Sequence, residues 1–196
     1  VVIRLNDLAH RFAAGHKLRL AVSTTYWPMV WPSGERVTLT LTAGASRLAL
    51  PVRPLGLDDE VGPAFDPVEM APPAKTTAMT SPDASRTIDR DLKTGRWTEK
   101  LVEDHGRYHI HDIDLDVTHS VHCTFDIVEN DPLSADARWV WRSKLDRDGW
   151  HIDIEATTRL RAGALDFIVD TDIDAKEDGI SIFSKAWRDR IPRDGL

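Results

Sequence analysis

An alternation of apolar and polar residues with a period of two recurs along this chain. It is longest from Val117 to Ile127, and Trp150 to Leu160 and Leu165 to Ile173 repeat it. Successive side chains of a β-strand point to opposite faces, so the pattern predicts half-buried strands. Polar sequences predict turns between or within these runs at 94–95, 104–106, 146–149, 162–163 and 177–179, and helix signals are nearly absent. The fold class indicated is all-β, an antiparallel meander curled into a sandwich or open barrel.

The longest run also predicts which side chains are buried. Six residues share its mainly apolar face: Val117, His119, Val121, Cys123, Phe125 and Ile127. A one-residue slip of register would move all of them into water. We therefore expect His119 and Cys123 to be buried and His122, on the other face, to be exposed.

The first 52 residues combine a strand pattern with an aromatic-proline segment. Leu18, Leu20 and Val22 alternate with polar or small residues over 17–23, after a turn at 13–15. Tyr-Trp-Pro and Trp-Pro follow at 26–28 and 31–32, where proline cannot donate to a ladder. Residues 37–42 and 48–52 alternate again around a turn at 43–46, which predicts a hairpin.

Residues 53–85 change character. Six of the 11 prolines of the chain lie there, and the stretch has little periodicity. This composition predicts a mostly irregular connection. The expected organisation is residues 1–52 as one part of a β-sandwich, 53–85 as a Pro-rich connection, and 86–196 as an antiparallel meander that packs with the first part.

Composition excludes some classes of function. The formal net charge is −7, which disfavours nucleic acid as a partner because phosphates need a basic surface. No apolar run approaches the length of a membrane span, and no signal peptide is visible. The single cysteine rules out an internal disulfide and favours a reducing compartment, so a cytoplasmic location is the expectation. Without an initiator Met, either the start was removed or the chain is a piece of something longer.

Several motifs occur in an order that resembles the C-terminal domain of the CocE/NonD hydrolases, relatives of the X-Pro dipeptidyl-peptidases. The motifs are AAGHKLRLAVST with YWP and WPS (13–33), LALPV (48–52), TIDRDLKTGRWTEKLV (87–102), NDPLS (130–134) and WRDRIPRD (187–194). The motif at 87–102 is similar to a hairpin of that family. The resemblance implies a jelly-roll-like, galactose-binding-domain-like β-sandwich that is non-catalytic and incomplete at its N-terminal side. It also implies a parent enzyme that hydrolyses esters or amides through an acyl-enzyme, with an α/β-hydrolase domain as partner in cis or lost.

The sequence offers no catalytic set of its own. An α/β-hydrolase needs G-x-S-x-G at a strand-to-helix elbow, and no such motif occurs. Gly44 to Arg47 lacks the second glycine and is interpreted as a hairpin turn. We therefore expect no catalytic residue in this chain.

No metal or cofactor is expected either. His109 and His111 are two apart and could chelate an ion from one strand face, but the four histidines of 109–122 do not converge on one face. Asp170 to Asp174 resembles the opening of a calcium loop, yet Ala175 and Ser181 stand where glycine and glutamate are required. An exposed, charged strand face is the favoured interpretation.

The aromatic residues Tyr26, Trp27 and Trp31 are the candidate site. They could stack on a sugar or another apolar ligand, as in a free-standing binding module. Alternatively, as the resemblance implies, they contact a hydrolase domain and help to shape its substrate cleft. An apolar face left open near Leu18 and Leu20 would also favour a homodimer.

Overall fold

The computed structural model describes residues 2–42, 44–52, 62 and 64–193, and its regular structure begins at Thr76. Eight strands lie in the described part: β1 Thr76–Ala78, β2 Asp83–Asp91, β3 Arg96–Ile110, β4 Leu115–Val128, β5 Asp131–Arg147, β6 Trp150–Ala162, β7 Asp166–Glu177 and β8 Ile180–Pro192. A short 3₁₀ turn, His111–Ile113, joins β3 to β4. The predicted all-β class is confirmed.

The strands form one antiparallel sheet in the described residues. From β2 to β8 each strand pairs with the next along the chain, and β1 pairs with the far end of β3 beside β2. The predicted hairpin at 87–102 is confirmed, since Thr87 lies opposite Lys100. The predicted turns at 94–95, 146–149, 162–163 and 177–179 each fall at the boundary between two strands.

One predicted turn is wrong. Residues 104–106 form an irregularity inside β3, where the register with β4 shifts between Asp104 and Arg107. Gly106 has φ +73°, and a Cβ there would lie 2.6 Å from the Thr80 carbonyl oxygen. The glycine is needed because the link between β1 and β2 crosses the strand at this point.

The register divides the sheet into an apolar and a polar face. Directly opposed pairs share a face, so Cys123 with Trp139 and Phe125 with Ala137 build the apolar one. The polar face carries cross-strand ion pairs such as Arg159 with Asp136. The buried apolar residues of the described chain are few and small: Val121, Cys123, Ala135, Ala137, Val140, Ile152 and Ala162.

The predicted strand at 17–23 and the predicted hairpin at 37–52 are wrong in the residues that the structure describes. Both turns form: His16 N–H donates to Ala13, and Ser46 N–H to Thr42. The flanking segments nevertheless pair with none of the described strands, and more than half of the Leu18 and Leu20 surface is exposed. Alternation shows that a segment has two faces, but a strand also needs a hydrogen-bonded neighbour. Ala43 and most of 53–63 lie outside the described residues, and 64–75 is irregular and exposed.

Candidate functional site

The aromatic-proline loop, residues 24–38, lies on the apolar face of the sheet. Trp27 contacts Phe125 of β4 edge to face, with ring centroids 6.2 Å apart. Phe125 contacts Trp139 of β5 in the same way at 5.6 Å, and Trp31 contacts Trp27 at 4.9 Å. Edge-to-face contacts of this kind are favourable beyond the apolar area that they bury. A continuous row of rings therefore joins the loop to two central strands.

A short turn gives the loop its shape. Val30 N–H donates to the Tyr26 carbonyl at 2.9 Å, which closes the chain around the Trp27–Pro28 peptide. Ser23 Oγ accepts from Thr25 N–H at 3.2 Å just before the turn, a local contact that favours turns over strands. The turn carries Met29 and Val30 at its tip, both largely exposed.

The other end of the loop is fastened by an arginine from beyond β8. Arg193 donates from Nη2 to the Pro32 carbonyl at 2.5 Å and from Nη1 to the Gly163 carbonyl at 3.1 Å. Its guanidinium also lies over Phe167, 4.9 Å from the ring centre, and Trp31 contacts the same ring. Arg193 is buried, so these bonds are shielded from water.

An open cleft separates the front of the loop from strands β2 to β4. Its volume is about 820 Å³. In the described part of the chain, four aromatic rings line it, namely Tyr26, Trp27, Trp97 and Phe125. Hydroxyl and amide side chains, including those of Thr25, Thr38 and Asn130, lie around the rings. Such a mixture of apolar walls and a few polar groups is typical of small-molecule sites.

Two carboxylates of the cleft are held by arginines from β2. Glu99 accepts from Arg86 at 2.6 Å; the Glu99 side chain is 13% exposed and that of Arg86 64%. Glu129 accepts from Trp97 Nε1 at 2.9 Å and from Arg90. The hydrogen bond from Trp97, followed by the bond and charge of Arg90, lowers the pKa of the Glu129 carboxyl.

The three aromatic residues predicted from the sequence have different positions. Tyr26 and Trp27 line the cleft, and two thirds of Tyr26 is exposed. Trp31 lies between Trp27 and Phe167, and its buried indole N–H has no hydrogen-bond partner among the residues that the structure describes. Their role as ligand or domain contacts stays a prediction.

Sequence reasoning missed Glu99 and Trp97. Both belong to the apolar face of β3, opposite Phe125 and Ile127 of β4. A carboxylate in an apolar alternation is the signal that could have found this region, because charges are seldom placed there without a partner.

The histidine-rich run forms hydrogen bonds rather than a metal cluster. His109 Nδ1 lies 2.7 Å from Asp116, and His111 Nε2 lies 2.8 Å from Thr77. Within the described ranges, no three His, Cys, Asp or Glu side chains are placed to hold a metal ion. Asp170 pairs with arginines on neighbouring strands, and Asp174 accepts from Ser181, as expected for a charged strand face.

The burial prediction for β4 is partly confirmed. Cys123 is buried and His122 is exposed. His119 was expected in the core and is only half-buried, with Nδ1 2.8 Å from Ser143 Oγ. Its neighbour Trp141 is 44% exposed, because the aromatic-proline loop covers the other end of the apolar face.

Comparison with known families confirms the resemblance for one part of the chain. Residues 1–88 match the family model of the X-Pro dipeptidyl-peptidase C-terminal non-catalytic domain. The match contains the entire aromatic-proline loop and ends within β2. Neither the curated proteins nor the solved structures contain a match to this chain. In the described residues, no helix has the length and apolar character needed to span a membrane.

Proposed function

We propose that this chain is the non-catalytic C-terminal β-region of a CocE/NonD-type serine hydrolase, whose catalytic domain cleaves ester or amide bonds. Its role in that enzyme is to stabilise the catalytic domain and to form one wall of the substrate cleft. The observation that carries the proposal is the match of residues 1–88 to a non-catalytic peptidase domain. The buried and unpaired Cys123 supports a reducing compartment, and a cytoplasmic location is part of the proposal.

The aromatic-proline loop supplies the first contact surface. Its inner side is engaged with the sheet through Trp27 and Trp31, whereas Met29 is 75% and Val30 56% exposed at the tip. Apolar side chains presented together on a fixed turn are typical of an interaction site. In this proposal the tip of the loop contacts the catalytic domain.

The segments before and after the loop, which pair with no strand in the described part of the chain, supply a second surface. Leu18, Leu20 and Leu41 are all about half exposed or more, although the sequence alternates as in a half-buried strand. Extended segments with free backbone groups are templates for pairing with another chain. Pairing with strands of the same hydrolase would bury this alternation.

The test begins with the reading frame upstream of Val1, which should encode a domain with G-x-S-x-G. That domain is produced separately, and its binding to this chain is measured by calorimetry. Leu20→Asp and Met29→Asp should each weaken binding at least tenfold. Leu92→Asp, at an 82% exposed position on the β2–β3 turn, is the matched control and should leave binding unchanged. An upstream frame without such a domain, or equal binding by all variants, would overturn the proposal.

A second copy of the chain is the rival occupant of the same surface. Light scattering over a dilution series separates the two. A dimer that dissociates in the Leu20→Asp variant would identify a second copy of the chain as the partner, as expected from the open apolar face. A monomer at every concentration leaves the catalytic domain as the occupant.

A free-standing carbohydrate or small-ligand module is the second candidate function. The cleft beside Tyr26 and Trp27 favours it, because its size and aromatic lining suit a small molecule.

A further inference from the structure

We propose that the cleft between the aromatic-proline loop and β2–β4 binds an organic cation, an ammonium group carried on a flat apolar body. The inference rests on the geometry of the cleft and does not depend on the proposed hydrolase partner.

The dimensions and walls of the cleft define the apolar part of the ligand. A volume of about 820 Å³ lies within the range of small-molecule pockets. Trp27 and Phe125 form one side through an edge-to-face contact, and Trp97 and Ile88 line the β2–β3 side. A ring of the ligand placed between these walls would bury apolar area on both of its faces.

The charged side chains that line the cleft favour a positively charged ligand. Among the described residues, four carboxylates line the cleft, and Arg36 is the one cationic side chain that lines it with them. The carboxylates are those of Glu35, Glu99, Glu129 and Asp131. Arg86 and Arg90 of β2 pair with two of these carboxylates, and the region still has an excess of negative charge. A negatively charged cleft with low-dielectric walls attracts cations.

Glu99 is the group that we assign to the ammonium. Its carboxylate lies among apolar side chains, opposite Ile88 on β2 and Phe125 on β4. Burying a charged carboxylate costs free energy unless the carboxylate is paired, and the partner of Glu99, Arg86, is mostly in solvent. Arg86 Nε binds Oε1, so Oε2 is the acceptor that we assign to the ligand.

Trp97 provides a face for the same positive charge. Arg90 lies over one face of this ring, 5.0 Å from its centre, so we assign the ligand cation to the opposite face. The hydrogen bond from its indole N–H to Glu129 fixes that orientation. A ligand ammonium between Glu99 and Trp97 would combine an ion pair with a cation–π contact.

The experiment compares three probes of nearly equal shape on the intact chain: 2-phenylethylammonium, 2-phenylethanol and phenylacetate. Binding is followed by calorimetry and by the indole N–H signals of the tryptophans in NMR spectra. The ammonium should bind at least tenfold more tightly than the alcohol, phenylacetate should not bind measurably, and the Trp27 and Trp97 signals should shift. Binding of the ammonium should weaken as salt is added.

Variants test the assignment to Glu99. Glu99→Gln should weaken binding of the ammonium at least tenfold and leave binding of the alcohol unchanged. Glu155→Gln is the matched control, because Glu155 pairs with Arg142 on the polar face. Should Glu99→Gln fail to fold, the comparison of ammonium with alcohol on the unaltered chain still decides.

Three results would overturn the proposal: equal binding of ammonium and alcohol, no saturable binding of the ammonium, or shifts confined to tryptophans outside the cleft. Saturable binding of a neutral methyl glycoside in place of the ammonium would assign the cleft to carbohydrate instead. None of these results bears on binding of a catalytic domain, which is tested through Leu20 and Met29.

Discussion

Arg193, the first residue after β8, donates a hydrogen bond to the carbonyl of Pro32, 161 residues earlier in the chain. The same side chain holds the Gly163 carbonyl in the β6–β7 turn and covers the ring of Phe167. One buried guanidinium thus joins the aromatic-proline loop to the last three strands. The position of the loop on the sheet depends on a contact between the two ends of the chain.

Replacing Arg193 with Leu should release the loop. The change leaves the Pro32 and Gly163 carbonyls without their donor, and a lost hydrogen bond to a charged group costs about 1.5–3 kcal/mol. Unfolding in urea should show a stability loss of that size, and amide exchange of residues 24–33 should accelerate. Arg190→Leu is the control, since its side chain is 73% exposed, and it should change stability by less than about 0.5 kcal/mol. Unchanged exchange in the loop of Arg193→Leu would contradict the role given to this residue.

Replacing Phe125 with Ala should break the row of rings. Full burial of phenylalanine makes this change cost about 3–5 kcal/mol. Phe125 is half-buried between Trp27 and Trp139, so we expect a loss of about 2–3 kcal/mol, at or below the lower end of that range. Urea unfolding measures the loss, and Leu92→Ala at an exposed turn position is the control. A loss equal to that of Leu92→Ala would show that the row adds nothing to stability.

The sequence predicts the meander better than the first 52 residues for a physical reason. Val117 to Ile127 is flanked by other alternating runs joined through short turns, so its neighbours in sequence are its partners in the sheet. Leu18 to Val22 has the same period but no neighbouring run with which it pairs in the described structure. Periodicity reports how a segment divides its two faces, and it carries no information about a distant partner.

The residues of the candidate site could likewise be predicted only in part. Tyr26 and Trp27 could be selected from the sequence because they are large aromatic residues at a point where proline interrupts the strand pattern. Glu99 and Arg193 could not be assigned to the loop from their surroundings in sequence. Their contacts depend on how the loop folds over the sheet, which brings together residues from both ends of the chain.

Asp116 should make the free energy of unfolding depend on pH in the acid range. A hydrogen bond from His109, followed by the bond and charge of Arg107, lowers the pKa of the Asp116 carboxyl. A lowered pKa in the folded state contributes stability above the ordinary value of about 3.9, and this contribution is lost as the pH falls through the folded value. Urea unfolding from pH 7 to pH 2.5 should therefore show a stability difference between the native chain and Asp116→Asn that shrinks below about pH 4.

Asp148→Asn is the control for this dependence, because Asp148 is exposed on the turn between β5 and β6. It should follow the native chain at every pH. An Asp116→Asn curve parallel to that of the native chain over the whole range would show that the carboxyl does not contribute.

The Cys123 thiol should be protected from thiol reagents. It should also make the free energy of unfolding depend on pH in the alkaline range. The residue is buried at the centre of the apolar face, opposite Leu101 and Trp139. Burial, followed by the negative charge of Glu103, raises the pKa of the thiol. The folded state therefore keeps its proton where the unfolded state loses it, so stability is retained below about pH 8.5, the ordinary thiol value, and declines as the pH rises above it.

Labelling with a chromogenic disulfide reagent at pH 8 checks the first part of this prediction. The native chain should react at least a hundredfold more slowly than the chain in urea, because the thiolate is both scarce and covered. Glu103→Gln should lower the thiol pKa in an absorbance titration at 240 nm, while burial keeps it above the ordinary value. Equal labelling rates in the native and unfolded states would mean that the apolar face opens at Cys123, and the row of rings beside it could not then be a fixed platform for the loop.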